Sequence, residues 1–518
     1  MVQAYAARDR VASMHLDDTR PDANAILNIP VQNYLPSPED HQLLYHEYIN
    51  EVQKILCAKM EAFKDVNLEP MQHPYMQELS QKSHMVPLGV IDKDETKITN
   101  MIDIVETYQQ LVPLRDGKLV TTILYGDGLS CERVNDAKCA RISSANPMGR
   151  LDGIEPQIQE WHRRAIHLND IYSSLFSGKS ARDKGTLFYL KSRFRHRNVS
   201  ANVMHCFNYA NELMRFTTEA YAVAAACSFL GLNAPDDCLP NQPSEPLELE
   251  HLLLKTAKHV VGIAFCPPDA SCIINAAAEE PELKYCLCQE ELEDAQMVKC
   301  ENKKCRRGQW FHLKCIDLAE EDLPDGDWFC SQQCNNKKMK TAKPSATEDH
   351  KFQYSKAVLW YGLGDSVRTD AVRQGDGNRI IMHWRQDMVH FFEGHHTKYF
   401  VFGHRLLTST GGGASERIAH QLTWNRTVNP SGLPGRNLEM DLQMEFYNKA
   451  YKESIKSAGG HITDNTVRRH GDMVGLGRSM QLLFDLQVAE RRTDKRKHGQ
   501  ADRSPDFKDL VELLLEEE

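Results

Sequence analysis

Apolar positions recur at spacings of three and four in two long stretches of the chain. Trp161, Ala165, Leu168, Tyr172 and Leu175 follow this count from Ile158 onward and predict an amphipathic helix. Val203, Phe207, Ala210, Met214, Thr217, Tyr221 and Ala224 predict a second, longer one. Nearer the end, Asn437 is placed to cap a helix running through Asp441, Glu445 and Ala450, with Glu439 in its first turn. Residues 118–125, rich in Val, Thr, Ile and Leu, predict a buried strand. That strand runs into Gly126-Asp127-Gly128, a sharp turn that sets a carboxylate at its C-terminal end. Gly411, Gly412 and Gly413 mark a flexible loop that lacks the Lys-Ser/Thr ending of a phosphate-binding loop. A short acidic helix is expected over 506–518.

The stretch 285–334 breaks this pattern, and it holds seven of the fifteen cysteines. Its ligand-type residues arrive as four close pairs: Cys286-x-Cys288, Cys300-x4-Cys305, His312-x2-Cys315 and Cys330-x3-Cys334. Tetrahedral zinc takes four ligands per ion, so eight ligands suit two ions. A segment of this size cannot bury enough apolar surface to fold alone, and bound metal supplies the missing folding free energy. A disulfide scaffold belongs to secreted domains and leaves the histidine unexplained.

The ligand order, together with Trp310-Phe311-His312 and with Trp328 two residues before Cys330, resembles the PHD finger, a chromatin-reading module. The resemblance implies interleaved sites: Cys286, Cys288, His312 and Cys315 on one zinc, and Cys300, Cys305, Cys330 and Cys334 on the other. Both would be closed, structural sites. It also implies a methyl-lysine cage of Tyr285, Met297 and Trp310, whose ring faces attract a quaternary ammonium. Glu301 would contact an arginine of the same tail, although Gln309 stands where a second acid is usual. The bland alternative is that the aromatics only cover the zinc core. Lys303, Lys304, Arg306 and Arg307 would repel a basic tail, and such a loop either contacts nucleic-acid phosphate or is simply solvated.

Length and charge bound the rest. A chain of 518 residues suits two to four domains, and a net charge of −10 argues against a whole-protein nucleic-acid sink. The eight cysteines outside the finger are scattered, as in a reducing compartment. The start lacks the apolar core of a signal peptide, and no apolar run is long enough to span a bilayer, so a soluble intracellular protein without a membrane partner is expected. The basic run from Arg491 to His498 is either a nuclear-import signal or a solvated linker.

Tyr125-Gly-Asp-Gly-Leu-Ser-Cys-Glu-Arg, Glu160-Trp-His, Asn425-Arg-Thr-Val-Asn and Asp441-Leu-x-Met-Glu445 resemble a large uncharacterised domain family of mobile-element-like genes in animals and fungi. The resemblance covers most of 1–234 and 352–486, and some members carry a PHD finger between the halves. The layout also resembles an RNase H-like transposase, in which carboxylates hold two metals to attack a phosphodiester. Asp127 and Glu445 are then the speculative catalytic acids, against the plain reading of a turn cap and a helix surface residue. Members extend upstream with a strand ending in Asp-Asn, so this chain is expected to lack one acid and to be inactive. His383, His390, His395 and His396 match no zinc spacing and are expected at the surface.

The expected fold is mixed α/β, a predominantly helical domain around a small sheet with an inserted two-zinc finger. The expected divisions are 1–240 and 351–488 for the two halves, 241–282 for a connector, 283–336 for the finger, 337–350 for a linker and 489–518 for a charged tail. The expected function is zinc-dependent recognition of a protein ligand, a methylated histone tail, in the nucleus. The alternatives are an inactivated nuclease and a finger that scaffolds a non-histone partner.

Overall fold

The computed structural model describes residues 1–240, 243, 245–265, 296–300, 310–316, 318, 328–330, 350–457, 459, 463–491 and 503–517. The fold is predominantly helical with small two-stranded sheets. The chain divides into two units, Met1–Cys266 with Ser355–Glu518, and Pro267–Tyr354.

In the larger unit, β1 (Val2–Ala7) pairs antiparallel with β2 (Met85–Ile91), and helix α1 (Pro38–Lys59) lies between them in sequence. Ser37 starts α1 with a capping box: its hydroxyl accepts from the Asp40 amide while Asp40 accepts from the Ser37 amide. Helix α2 (Ile98–Gln109) leads to strand β3 (Thr122–Gly126), helix α3 (Gly128–Ala140) and strand β4 (Ile154–Ile158). β3 and β4 are parallel, with Thr122 opposite Ile154 and Gly126 opposite Ile158. Met101, Ile104 and Val105 of α2 pack with Val134 and Ala137 of α3 beneath these strands.

The single strand expected over 118–125 is two. Asp116 and Gly117 both adopt positive φ, so Leu114–Arg115 and Lys118–Leu119 close a tight hairpin before β3 begins. β3 itself is only half-buried.

Helix α4 (Glu160–Leu175) follows β4, and α5 (Phe207–Leu230) is preceded by a 3-10 turn over Val203–His205. α5 ends at Gly231, whose φ of 69° is the left-handed conformation of a helix C-cap. Helix α6 (Pro246–Ala264) closes the first half of this unit. In the smaller unit, β5 (Met297–Lys299) and β6 (Trp310–His312) pair antiparallel.

The second half supplies α7 (His350–Gln374), α8 (Gly377–Glu393), α9 (Thr397–Thr408) and α10 (Glu416–Trp424). Strands β7 (Thr427–Val428) and β8 (Leu438–Glu439) then lead into α11 (Met440–Ser457), α12 (Asp464–Arg491) and α13 (Ser504–Glu517). Gly362 of α7 lies against Thr218 of α5 so closely that any Cβ there would collide with the hydroxyl. The glycine run at 411–413 is a π-helical turn over Ser409–Gly413, with φ of 113° at Gly412. Asn437 does not cap α11. Glu439 lies in β8, opposite Thr427, and the Asn437 amide donates to the Arg373 carbonyl instead. The acidic end is a docked helix, with Phe507, Leu510 and Val511 buried and Phe507 edge-on to Phe216.

Buried ion pairs join the two halves. Glu47 meets Arg379, Arg163 meets Asp387, Arg164 meets Asp365, and Glu160 meets Arg426, while Arg368 holds Asp387 from within the second half. His383 is fully buried, 3.2 Å from Glu47, so it is no surface histidine. His390 and His396 share one carboxylate oxygen of Asp170, at 2.9 and 2.7 Å. Among the described residues no helix is long and apolar enough to cross a membrane.

Candidate functional site

The smaller unit carries the ligand-type residues. On the β5–β6 hairpin, Val298 opposes Phe311, and both belong to a cluster with Cys300, Ile316, Trp328 and Cys330. Side chains alternate across a strand, so Met297 and Trp310 share the opposite face with Lys299 and His312. Met297 and Trp310 are diagonal neighbours there, a separation of about 7–8 Å that long side chains bridge. Trp310 is 40% exposed while Phe311 is fully buried. The tryptophan is therefore a surface group, whereas Trp328 packs edge-on to Phe311 at 5.6 Å.

Four of the eight predicted ligands are described: Cys300, His312, Cys315 and Cys330. His312 Nδ1 and Cys315 Sγ lie 3.8 Å apart. Two ligand atoms on tetrahedral zinc, with bonds near 2.0 and 2.3 Å, stand about 3.6 Å from each other, so this pair has the required spacing. Separately, the Cys330 amide donates to Cys300 Sγ at 3.5 Å. Cys286, Cys288, Cys305, Cys334, Tyr285 and Glu301 lie outside the described residues, as do Lys303, Lys304, Arg306 and Arg307 and the basic run after Arg491.

The larger unit holds a cleft of about 860 Å³, and Asp127 and Glu445 both line it. Asp127 follows β3 and caps α3, its carboxylate accepting from the Ser130 amide at 2.7 Å. Glu445 lies one turn into α11, where it accepts from the Asn448 side chain. The same cleft holds Asp441 and His162, which the sequence motifs contain but whose partnership sequence reasoning did not single out. The Asp441 carboxylate accepts from the backbone amides of Trp161 and His162, both at 3.1 Å, and meets His162 Nδ1 at 2.9 Å. In return Gln159 Oε1 accepts from the Met440 amide at 3.1 Å. Each helix thus caps the start of the other, a device spelled out only by residues far apart in sequence.

Burial would depress the His162 pKa. The hydrogen bond and charge of Asp441, then the charges of Asp127 and Glu445, outweigh burial and raise it above its ordinary value. Glu95 is also raised, first by burial and then by the Asp127 charge. The cleft therefore has an acidic end. Among the described residues, no three of His, Cys, Asp and Glu are gathered closely enough to hold a metal ion.

The model of a family of unknown function (DUF6589) matches residues 28–496, which include both halves and the segment between them. The chain belongs to this family. No curated protein and no solved structure matches the chain. Within this DUF6589 member, Asp127 and Glu445 come together at one cleft, whereas His383 is drawn into the buried ion pairs and His390 and His396 turn to Asp170.

Proposed function

We propose that residues 285–334 form a two-zinc PHD-type finger that reads a methylated lysine of a histone tail, within a nuclear protein of mobile-element ancestry. The observation that supports this reading is the spacing of His312 Nδ1 and Cys315 Sγ, 3.8 Å, beside the Cys330 amide that donates to Cys300 Sγ. The first zinc would be held by Cys286, Cys288, His312 and Cys315, the second by Cys300, Cys305, Cys330 and Cys334. Zinc bound there supplies a cross-link and no open coordination position. Met297 and Trp310 share one hairpin face, and Tyr285 would add the third wall of the cage.

The test is titration of the full chain with trimethylated and unmodified lysine peptides at two salt concentrations. Cage binding favours the trimethylated peptide at both salts. Trp310→Ala weakens it about tenfold, since a partly exposed cation–π contact contributes about 0.5–1 kcal/mol and a desolvated one more. Glu301→Ala costs less, because one acid works against four nearby cations. Equal affinity for both peptides, falling steeply with salt, would assign the loop cations to phosphate instead.

A second reading, an RNase H-like nuclease remnant, is supported by Asp127 and Glu445 lining one cleft at the end of a parallel strand pair. Divalent-metal-dependent DNA cleavage by the full chain, abolished in Glu445→Gln, would favour it over the finger as the seat of activity.

A further inference from the structure

We propose that one face of α5, with the turn that precedes it and the end of α7 beside it, binds single-stranded nucleic acid, with arginines on the phosphates and Tyr209 under a base.

The chain carries a net charge of −10, yet residues 177–198 hold seven Lys and Arg and a single Asp. Such a run by itself is ordinarily a solvated surface. Here the fold sets two of its arginines beside others. The short helix Leu187–Arg193 ends in a turn where the His196 amide donates to the Lys191 carbonyl and Arg195 takes a φ of 55°. The rings of Phe194 and His196 in that turn pack on Phe216 of α5. Arg195 and Arg197, on either side of His196, are exposed, and so is Arg215, next to Phe216.

A second pair comes from the other half of the unit. α7 crosses α5 where Gly362 meets Thr218, three residues past Arg215. At the end of α7 the Asn437 backbone and side chain both donate to the Arg373 carbonyl, at 3.2 and 2.9 Å, which sets Arg436 beside Arg373. Among the described residues Arg195, Arg197, Arg373 and Arg436 form no ion pair, and Arg215 shares Glu219 with Lys59. Partial desolvation, then the charges of Arg164 and Arg215, hold the Arg373 pKa below its ordinary value, and Arg436 adds to the effect. Glu439 opposes it, but burial raises the pKa of that carboxyl. Like charges gathered with so little carboxylate between them are stabilised by an anion from outside.

The chemistry of the face selects the anion. Guanidinium forks match phosphate oxygens two at a time. Tyr209 is 49% exposed and lies on the same stripe of α5 as Glu212 and Phe216, at spacings of three and four. Glu212 is taken up by Arg503. An exposed aromatic ring among arginines is a stacking platform for an unpaired base, a group that acidic peptides and anionic lipid headgroups lack.

The experiment titrates the full chain with fluorescent single strands of DNA and of RNA, the corresponding duplex, and polyglutamate, each across a salt series. The single strands are expected to bind more tightly than duplex or polyglutamate, and the tighter of the two identifies the sugar. Their affinity falls with salt at a slope of at most about 3.5, from about 0.7 per phosphate engaged by five arginines. Arg195→Gln, Arg197→Gln and Arg436→Gln together weaken binding about tenfold or more and reduce the slope. Tyr209→Ala weakens it about fivefold without changing the slope, and Tyr209→Phe retains it. Lys303→Glu with Lys304→Glu leaves it unchanged, so the outcome does not depend on the finger. Duplex or polyglutamate bound as tightly as single strands overturns the proposal. So does an absence of binding, binding indifferent to the arginine substitutions, or binding lost with Lys303 and Lys304 instead.

Discussion

Glu160 is 1% exposed, and its carboxylate meets Arg163, Arg426 and the indole N–H of Trp384. Burial alone would raise its pKa, but the charges of Arg163 and Arg426 hold it below the usual carboxylate range. Removing one partner of such a cluster leaves the others buried and uncompensated. Glu160→Gln is expected to destabilise the larger unit by about 3–5 kcal/mol in denaturant unfolding, whereas Glu445→Gln, on the half-buried cleft wall, should cost under about 1 kcal/mol. His167 gives the pH dependence a sign. Burial, then the Arg368 charge, pushes its pKa from 6.5 to about 3, so the folded state holds it neutral where the unfolded chain would bind a proton. Its stabilising contribution is complete above pH 6.5 and is lost as pH falls toward 3, at up to about 1.4 kcal/mol per unit. Unfolding measured from pH 7 to 5 should show this slope, and His167→Gln should flatten it. Neither role was legible in the sequence, where Glu160 opens a helix and His167 is one polar position of an amphipathic pattern. The partners that bury them, at 368, 384, 387 and 426, are distant in the chain. His383 was misplaced at the surface for the same reason, since Glu47 is its partner.

The elements were more legible wherever local pattern decides them. α4 and α5 follow the apolar spacing because one face of each meets the core, with Leu168, Ile171 and Tyr172 buried on the first and Ala210, Leu213 and Met214 on the second. Pattern failed where pairing is non-local. Glu439 and Asn437 read as the start of a helix, but β8 forms because Thr427 and Val428 lie beside it. The break ahead of β3 did carry a signal in Asp116-Gly117, a turn pair set between Leu114-Arg115 and Lys118-Leu119. Asp127 was legible as a strand-end carboxylate, and its measurable local work is as a cap. Asp127→Ala should cost about 0.5–2 kcal/mol, while Asp127→Asn, also a good N-cap, should keep most of that stability in thermal melts. If Asp127→Asn is as damaging as Asp127→Ala, the carboxylate's charge rather than its capping bond is what the fold uses.

At the scale of the whole molecule, residues on both sides of Pro267–Tyr354 build one unit. The Phe265 and Trp360 rings lie 5.3 Å apart, so the chain leaves and re-enters that unit at neighbouring points. A segment joined at two adjacent points can fold or unfold without breaking the core that carries it. The proposed finger rests on cysteine and histidine spacing, because metal ligation would impose short-range pairs of a kind that a sequence displays directly. The cleft was only half readable: two of its acids could be named, but the Asp441–His162 pair arises from tertiary placement. The central claim is that the inserted segment folds around two metal ions, and zinc content of the purified full chain tests it most directly. The expected result is two zinc ions per chain, with chelation abolishing structure in 285–334 and leaving the helices of the larger unit folded, as followed by hydrogen exchange. One zinc or none in soluble, folded protein would contradict it.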